Sequence, residues 1–184
     1  MQAIVSLLRG INVGGKHKVA MEDLRALYES RGLRSVVTYI QSGNVVFRSP
    51  HKDLTKLSLA LERAFEERYG FRSENVLRTL PELKQLTEVN RFAARGVEPN
   101  KNVAIFLTGV LEKNQIADIC SCCVLPEEMH ADPRHLHCYF PDGMGRSKLP
   151  ILLGKKLSKL GITGTARNWN TVLKLIEIAE SFPA

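Results

Sequence analysis

The chain has 184 residues, 44% hydrophobic and 24% charged, enough to bury a core as one domain or as two small ones and too apolar for intrinsic disorder. No apolar run approaches bilayer length. The opening MQAIVSLLRG lacks the basic start and small-residue cleavage site of a secretory signal, so the reading is a soluble, cytoplasmic protein with no membrane partner. Lysine and arginine outnumber acids by 26 to 19, a net +7 that favours anionic partners.

The elements follow in chain order. AIVSLL (3–8) is an apolar run suited to a buried strand, and it runs into the glycine-rich RGINVGGKHK (9–18). From Met21 the residues Leu24, Leu27 and Tyr28 keep helical spacing; Glu22 and Asp23 favour the positive helix start and Gly32 supplies a stop. SVVTYIQ (35–41) and NVVFRS (44–49) read as an antiparallel hairpin turning tightly at Ser42-Gly43. Ser49 as N-cap with Pro50 as first helical residue opens a second helix, striped by Leu54, Leu57, Leu61, Ala64 and Phe65 and ended by Gly70. NVLRTL (75–80) is a fourth strand. Pro81 opens a linking helix to about Val89, and the polar NRFAARGVEPNKN follows as a boundary.

The order then repeats. NVAIFLTG (102–109) reads as a strand and 112–120 as a weak helix, with a hairpin about Asp132-Pro133. Ser147 caps a helix with Leu149, Leu152, Leu153, Leu157 and Leu160 on one side. A last helix near Asn168 buries Trp169, Val172, Leu173, Ile176 and Ala179. The pattern predicts an α+β fold of two ferredoxin-like βαββαβ halves with antiparallel sheets, plus a C-terminal helix: residues 1–80, a link over 81–100, and 101–184.

Four motifs carry candidate chemistry. Gly10, four residues, then Gly15-Lys16 mimics a phosphate-binding P-loop, but His17 replaces the hydroxyl that would ligate Mg²⁺ and the helix starts late. What remains is a permissive turn carrying Arg9, Asn12 and Lys16, either a ligand site or plain turn chemistry. In YIQSGNVVF the amide and hydroxyl groups of Gln41, Ser42 and Asn44 gather at one end of the hairpin, with turn formation as the alternative role. DGMGRSK sets Arg146 and Lys148 beside exposed helix-start N–H groups, where a bound anion would neutralise both. In TGTARNWN, Arg167 is a candidate anion clamp, while Asn168 suits an N-cap and Trp169 the core.

The cysteines, at 120, 122, 123 and 138, share one stretch, which suits reduced thiols rather than a spaced disulfide framework. With His130, His135 and His137 they suggest zinc chemistry, yet the adjacent Cys122-Cys123 fits no standard site, and no metal is expected. His135 and His137 alternate onto one strand face and Cys138 onto the other.

At LLRGINVGGK (7–16), TYIQSGNVVF (38–47), DGMGRSKL (142–149) and TARNWNTVLKL (165–175) the sequence resembles a widespread bacterial family, the SP0830-like domain of unknown function, DUF1697. The resemblance implies the same two-halved α+β fold; it does not imply an activity, and it leaves any cofactor unknown. The expectation from the residues is a binding module or unrecognised enzyme for an anionic, phosphorylated small molecule. Arg9, Asn12, Lys16, Gln41, Ser42, Asn44, Arg146, Lys148, Arg167 and Asn168 would meet in a polar basic cleft. Two alternatives stand beside it. Nucleic acid could bind the 142–170 surface, where six bases meet only Asp142, although no strand shows the paired aromatics of an RNA-recognition sheet. The motifs could also be purely structural, joining the two halves.

Overall fold

Strand β1 (Gln2–Leu8) is apolar almost throughout because both of its sides are withdrawn from water: Ile4, Val5, Ser6, Leu7 and Leu8 are all buried. The computed structural model, which describes residues 1–183, places it inside a four-stranded antiparallel sheet of order β2-β3-β1-β4, with β2 (Arg34–Tyr39), β3 (Asn44–Ser49) and β4 (Asn75–Thr79). Helices α1 (Met21–Ser30) and α2 (Leu54–Tyr69) lie between the strands in sequence, giving βαββαβ. Their apolar stripes, Leu24, Leu27 and Tyr28 on α1 and Leu57, Leu61, Ala64 and Phe65 on α2, share one core with Ile4, Leu8, Val45, Phe47 and Leu77.

One polar network is built into this core. Ser6 Oγ lies 2.7 Å from Tyr28 Oη and donates to Asn75 Oδ1 at 2.9 Å, and Asn75 N–H donates to Glu62 Oε1 at 3.0 Å. Burial pushes the Tyr28 phenol well above its usual range, so it serves as a neutral hydroxyl.

The chain continues through α3 (Leu80–Val89) and the short α4 (Arg91–Ala94), which lies inside the stretch expected to be boundary loop. Asn90 Oδ1 accepts from the N–H groups of Phe92 and Ala93, and Phe92 is buried, so this polar-looking segment has its own anchor.

A second sheet, β6-β7-β5-β8, repeats the order of the first with β5 (Asn102–Leu107), β6 (Glu128–Ala131), β7 (His135–Tyr139) and β8 (Gly164–Asn168). Helices α5 (Lys113–Cys120) and α6 (Leu149–Lys159) contribute Ile119, Leu149, Leu153 and Leu157 to a core with Val103, Ile105, Leu107, Leu136 and Cys138. Helix α7 (Trp169–Glu180) closes the chain. Both sheets have the strand order of a ferredoxin-like fold, so the expected α+β architecture is the observed one. The chain divides into two compact units, Met1–Gln85 with the segment from Lys174 onward, and Leu86–Leu173. No described helix is long and apolar enough to cross a membrane.

Several local expectations are corrected. Helix α2 starts at Leu54, not Pro50: Asp53 is the N-cap, its Oδ1 accepting from Lys56 N–H at 3.0 Å, while Ser49 ends β3. The hairpin turn spans 40–43 rather than two residues, since Tyr39 and Asn44 form the last rung. TARN, which the sequence places just ahead of the last helix, is part of strand β8 and pairs with β5. Leu152 on α6 and Leu160, its C-cap, are exposed; on α7, Leu173 is exposed and Leu175 buried. Helix α6 begins after a 3-10 turn (Met144–Arg146), and Ser147 Oγ accepts from Leu149 N–H at 2.9 Å although Lys148 is the cap residue.

Candidate functional site

Residues 9–19 fold back as a miniature hairpin at the end of β1. Asn12 N–H donates to the His17 carbonyl at 3.1 Å and Lys16 N–H to the Val13 carbonyl at 3.1 Å. Gly14 (φ 59°) and Gly15 (φ 76°) form the tip, and positive φ at both central residues is the requirement of a tight type I′ hairpin. The helix-start geometry of a P-loop is absent, because α1 begins only at Met21.

The side chain of Asn12 organises the loop. Nδ2 donates to the Val19 carbonyl at 3.0 Å and to the Gln41 carbonyl at 2.9 Å, and Oδ1 accepts from Val19 N–H at 2.8 Å. Asn12 itself sits at φ 55°, a conformation asparagine tolerates better than most residues. It therefore ties both ends of the loop to the β2–β3 turn. His17, at φ 51°, stacks on Phe71 with ring centroids 4.3 Å apart and 13° between planes, and its Nδ1 lies 3.2 Å from the Gly10 carbonyl.

The turn is equally constrained. Ile40 adopts φ 49°, an outlier for a β-branched side chain. Gly43 carbonyl accepts from Leu8 N–H at 2.8 Å. Asn44 is fully buried and donates to the Tyr39 carbonyl at 3.0 Å and to Ser42 Oγ at 2.9 Å. The two early motifs thus meet at one end of the first sheet. Lys16, Lys18, Gln41 and Ser42 face solvent there. Arg9 pairs with Glu74 at 3.0 Å, both half-exposed, while Lys16 and Lys18 form no ion pair among the described residues. Glu74 is the partner that sequence reading missed, since 65 residues separate it from Arg9.

In the second unit the sites separate by burial. Arg146 and Lys148 are exposed before α6, and Lys148 borders a cavity of about 300 Å³ with Cys122, Leu125, Glu127, Asp142 and Leu152. Arg167 is buried on β8, where its guanidinium donates to Thr165 Oγ1 at 2.7 Å and to the Ala166 carbonyl at 2.8 Å. Burial lowers its pKa to about 10, so it stays protonated at neutral pH. Asn168 Oδ1 accepts from Thr171 N–H at 2.9 Å, the capping contact its position suggested.

The histidines and cysteines part company. Asp132 Oδ1 lies 3.1 Å from His135 Nδ1, and its Oδ2 lies 3.4 Å from His137 Nε2; His130 stacks on His137 at 4.4 Å with planes 3° apart. The thiols gather on the opposite face, with Cys138 in the α5–α6 core. Among the described residues no group of three or more His, Cys, Asp or Glu side chains could hold a metal ion.

Two ferredoxin-like sheets, the first capped by a glycine-rich loop pinned to a hairpin turn, define an α+β protein built as a doubled βαββαβ unit. The chain belongs to DUF1697, a family described as protein of unknown function, whose profile matches residues 1–137. It is similar to the solved structure of the conserved bacterial protein SP0830 from Streptococcus pneumoniae, at 25% identity and a TM-score of 0.74, over 97% of this chain and 98% of that one. No curated protein matches it.

Proposed function

We propose that the loop 9–19 and the turn 40–43 bind a phosphorylated small molecule. The observation that carries this reading is the Asn12 tie to Gln41, which fixes a loop with an exposed 13–18 tip and left-handed backbone at Asn12 and His17. Residues held in sparsely populated conformations gather at ligand clamps, and preorganisation lowers the ordering cost of binding. Lys16 supplies an exposed ammonium, Lys18 a second, Gln41 and Ser42 neutral donors, and Arg9 a guanidinium half-engaged by Glu74. Arg146 and Lys148 are the exposed cations of the second unit's phosphate-friendly motif, whereas Arg167 and Asn168 already serve a strand and a helix cap.

Thermal unfolding with inorganic phosphate, pyrophosphate and nucleoside monophosphates tests the reading. Ligand at ten times its dissociation constant should raise Tm by roughly 3–5 °C, and Lys16→Ala should abolish the rise. No shift with any of these probes would overturn it. Binding of single-stranded RNA with a steep salt dependence, without response to the small phosphates, would replace it with the nucleic-acid reading.

A further inference from the structure

Three thiols crowd the C-terminal end of α5. Cys120 is the last helical residue, Ser121 continues in the right-handed helical region, and Cys123 N–H donates to the Cys120 carbonyl at 3.1 Å. Such an i→i+3 turn holds its end Cα atoms within about 7 Å, and disulfides span Cα separations of roughly 4.4–6.8 Å. Cys120-Ser121-Cys122-Cys123 is therefore a C-x-x-C spacing with the backbone already bent to close it. Cys122 is committed elsewhere: its Sγ donates to the Ile119 carbonyl at 2.9 Å, and it lines the 300 Å³ cavity beside Lys148 and Leu152. All three are free thiols of intermediate exposure, while Cys138 is buried in the core.

We propose that Cys120 and Cys123 form a redox-closable dithiol, a modification site for low-molecular-weight disulfides such as glutathione disulfide. One protein thiolate attacks a sulfur of glutathione disulfide, forming a mixed disulfide and expelling one glutathione thiolate. The second protein thiolate then attacks the protein-bound sulfur, closing Cys120–Cys123 and expelling the second glutathione. The protein gives up two electrons and two protons, and glutathione disulfide is reduced to two thiols. The new bond fastens the end of α5 to the 123–127 segment, which forms one wall of the cavity.

Reaction speed follows from the surroundings. Burial pushes the thiols up, Cys123 to about 11, and the N–H of Ala131 offsets this only in part at Cys120. Because the thiolate is the nucleophile, closure should quicken about tenfold per pH unit between about pH 7 and 9.

The full chain is incubated with glutathione disulfide at about pH 8.5, quenched by alkylation and peptide-mapped. The expected product has lost the mass of two hydrogens, carries an intramolecular Cys120–Cys123 link, and regains all its thiols with dithiothreitol. Cys120→Ser should instead accumulate a single glutathione adduct at Cys123. The wild-type map decides the matter even if that variant folds poorly. A persistent glutathione adduct on the wild type, a link to Cys122 or Cys138, an intermolecular link, or an unmodified chain would each overturn the proposal.

Discussion

Asn12 Nδ2 donates to the Gln41 carbonyl at 2.9 Å, bridging 29 residues between a loop and a hairpin turn. The same amide closes the loop on both Val19 backbone groups, so three hydrogen bonds hang on one side chain. Asn12→Ala should cost about 2–3 kcal/mol, from the lost bonds and the left-handed backbone. Asn12→Gly keeps the backbone easy and should cost about 1 kcal/mol less. Urea unfolding of the two variants separates the contributions. Equal stability of the alanine variant and wild type would mean that the loop is not pinned at all.

Gly43 shows how tightly the turn approaches the loop. A Cβ there would lie 2.8 Å from Ile11 Cδ1 and 2.9 Å from Leu8 Cβ, at φ 74°. Gly14 also has positive φ, yet a Cβ there meets open space. Gly43→Ala should therefore cost about 2–4 kcal/mol, summing overpacking and backbone strain, and Gly14→Ala about 1–2 kcal/mol from strain alone. Denaturant midpoints compare them; a Gly14 variant as destabilised as the Gly43 variant would contradict the packing argument.

Sequence legibility followed the physics of each signal. Strands β1, β3 and β5 and helix α1 were readable because burial writes apolar periodicity locally. Strand β8 was not, since GTARN contains one small apolar residue, a glycine and three polar ones; its strand character comes from pairing with β5, some sixty residues away. In the candidate site the glycines were readable and the pinning was not. Asn12 looks like any loop asparagine until Val19 and Gln41 are beside it, and the left-handed backbone of Ile40 runs against its β-branched side chain.

The start of α2 illustrates the same limit. The sequence points to Ser49-Pro50 as the helix start, but it is Asp53 that reaches a helical N–H, at Lys56. Ser49 Oγ accepts from His51 N–H at 3.1 Å, outside the helix. Asp53→Ala should lower Tm by about 2–4 °C through loss of the cap. Asp53→Asn should restore most of it, because the amide oxygen caps equally well. If asparagine fails to rescue, the aspartate charge rather than the cap is what matters.

The stacked pair His130–His137 makes stability depend on pH. Burial, with His137 and Arg91 nearby, lowers the His130 pKa from 6.5 to about 4. The unfolded chain therefore takes up this proton as pH falls through 6.5, whereas the folded chain resists until about 4. Stability is level above that window and declines through it. The full displacement is worth about 3 kcal/mol, and solvent reaching the half-buried ring reduces this to about 1–2 kcal/mol. Asp132 acts in a lower window. Burial would raise its pKa, but hydrogen bonds from His135 and His137 outweigh it and hold the carboxyl well below 3.8. Its contribution is present above 3.8 and is lost only as pH falls further. Urea midpoints between about pH 7 and 4.5 should thus fall for the wild type. They should stay nearly flat for His130→Phe, which retains an aromatic ring against His137 and removes the titrating group. A phenylalanine variant that loses stability as steeply as the wild type across that range would move the acid sensitivity to another group.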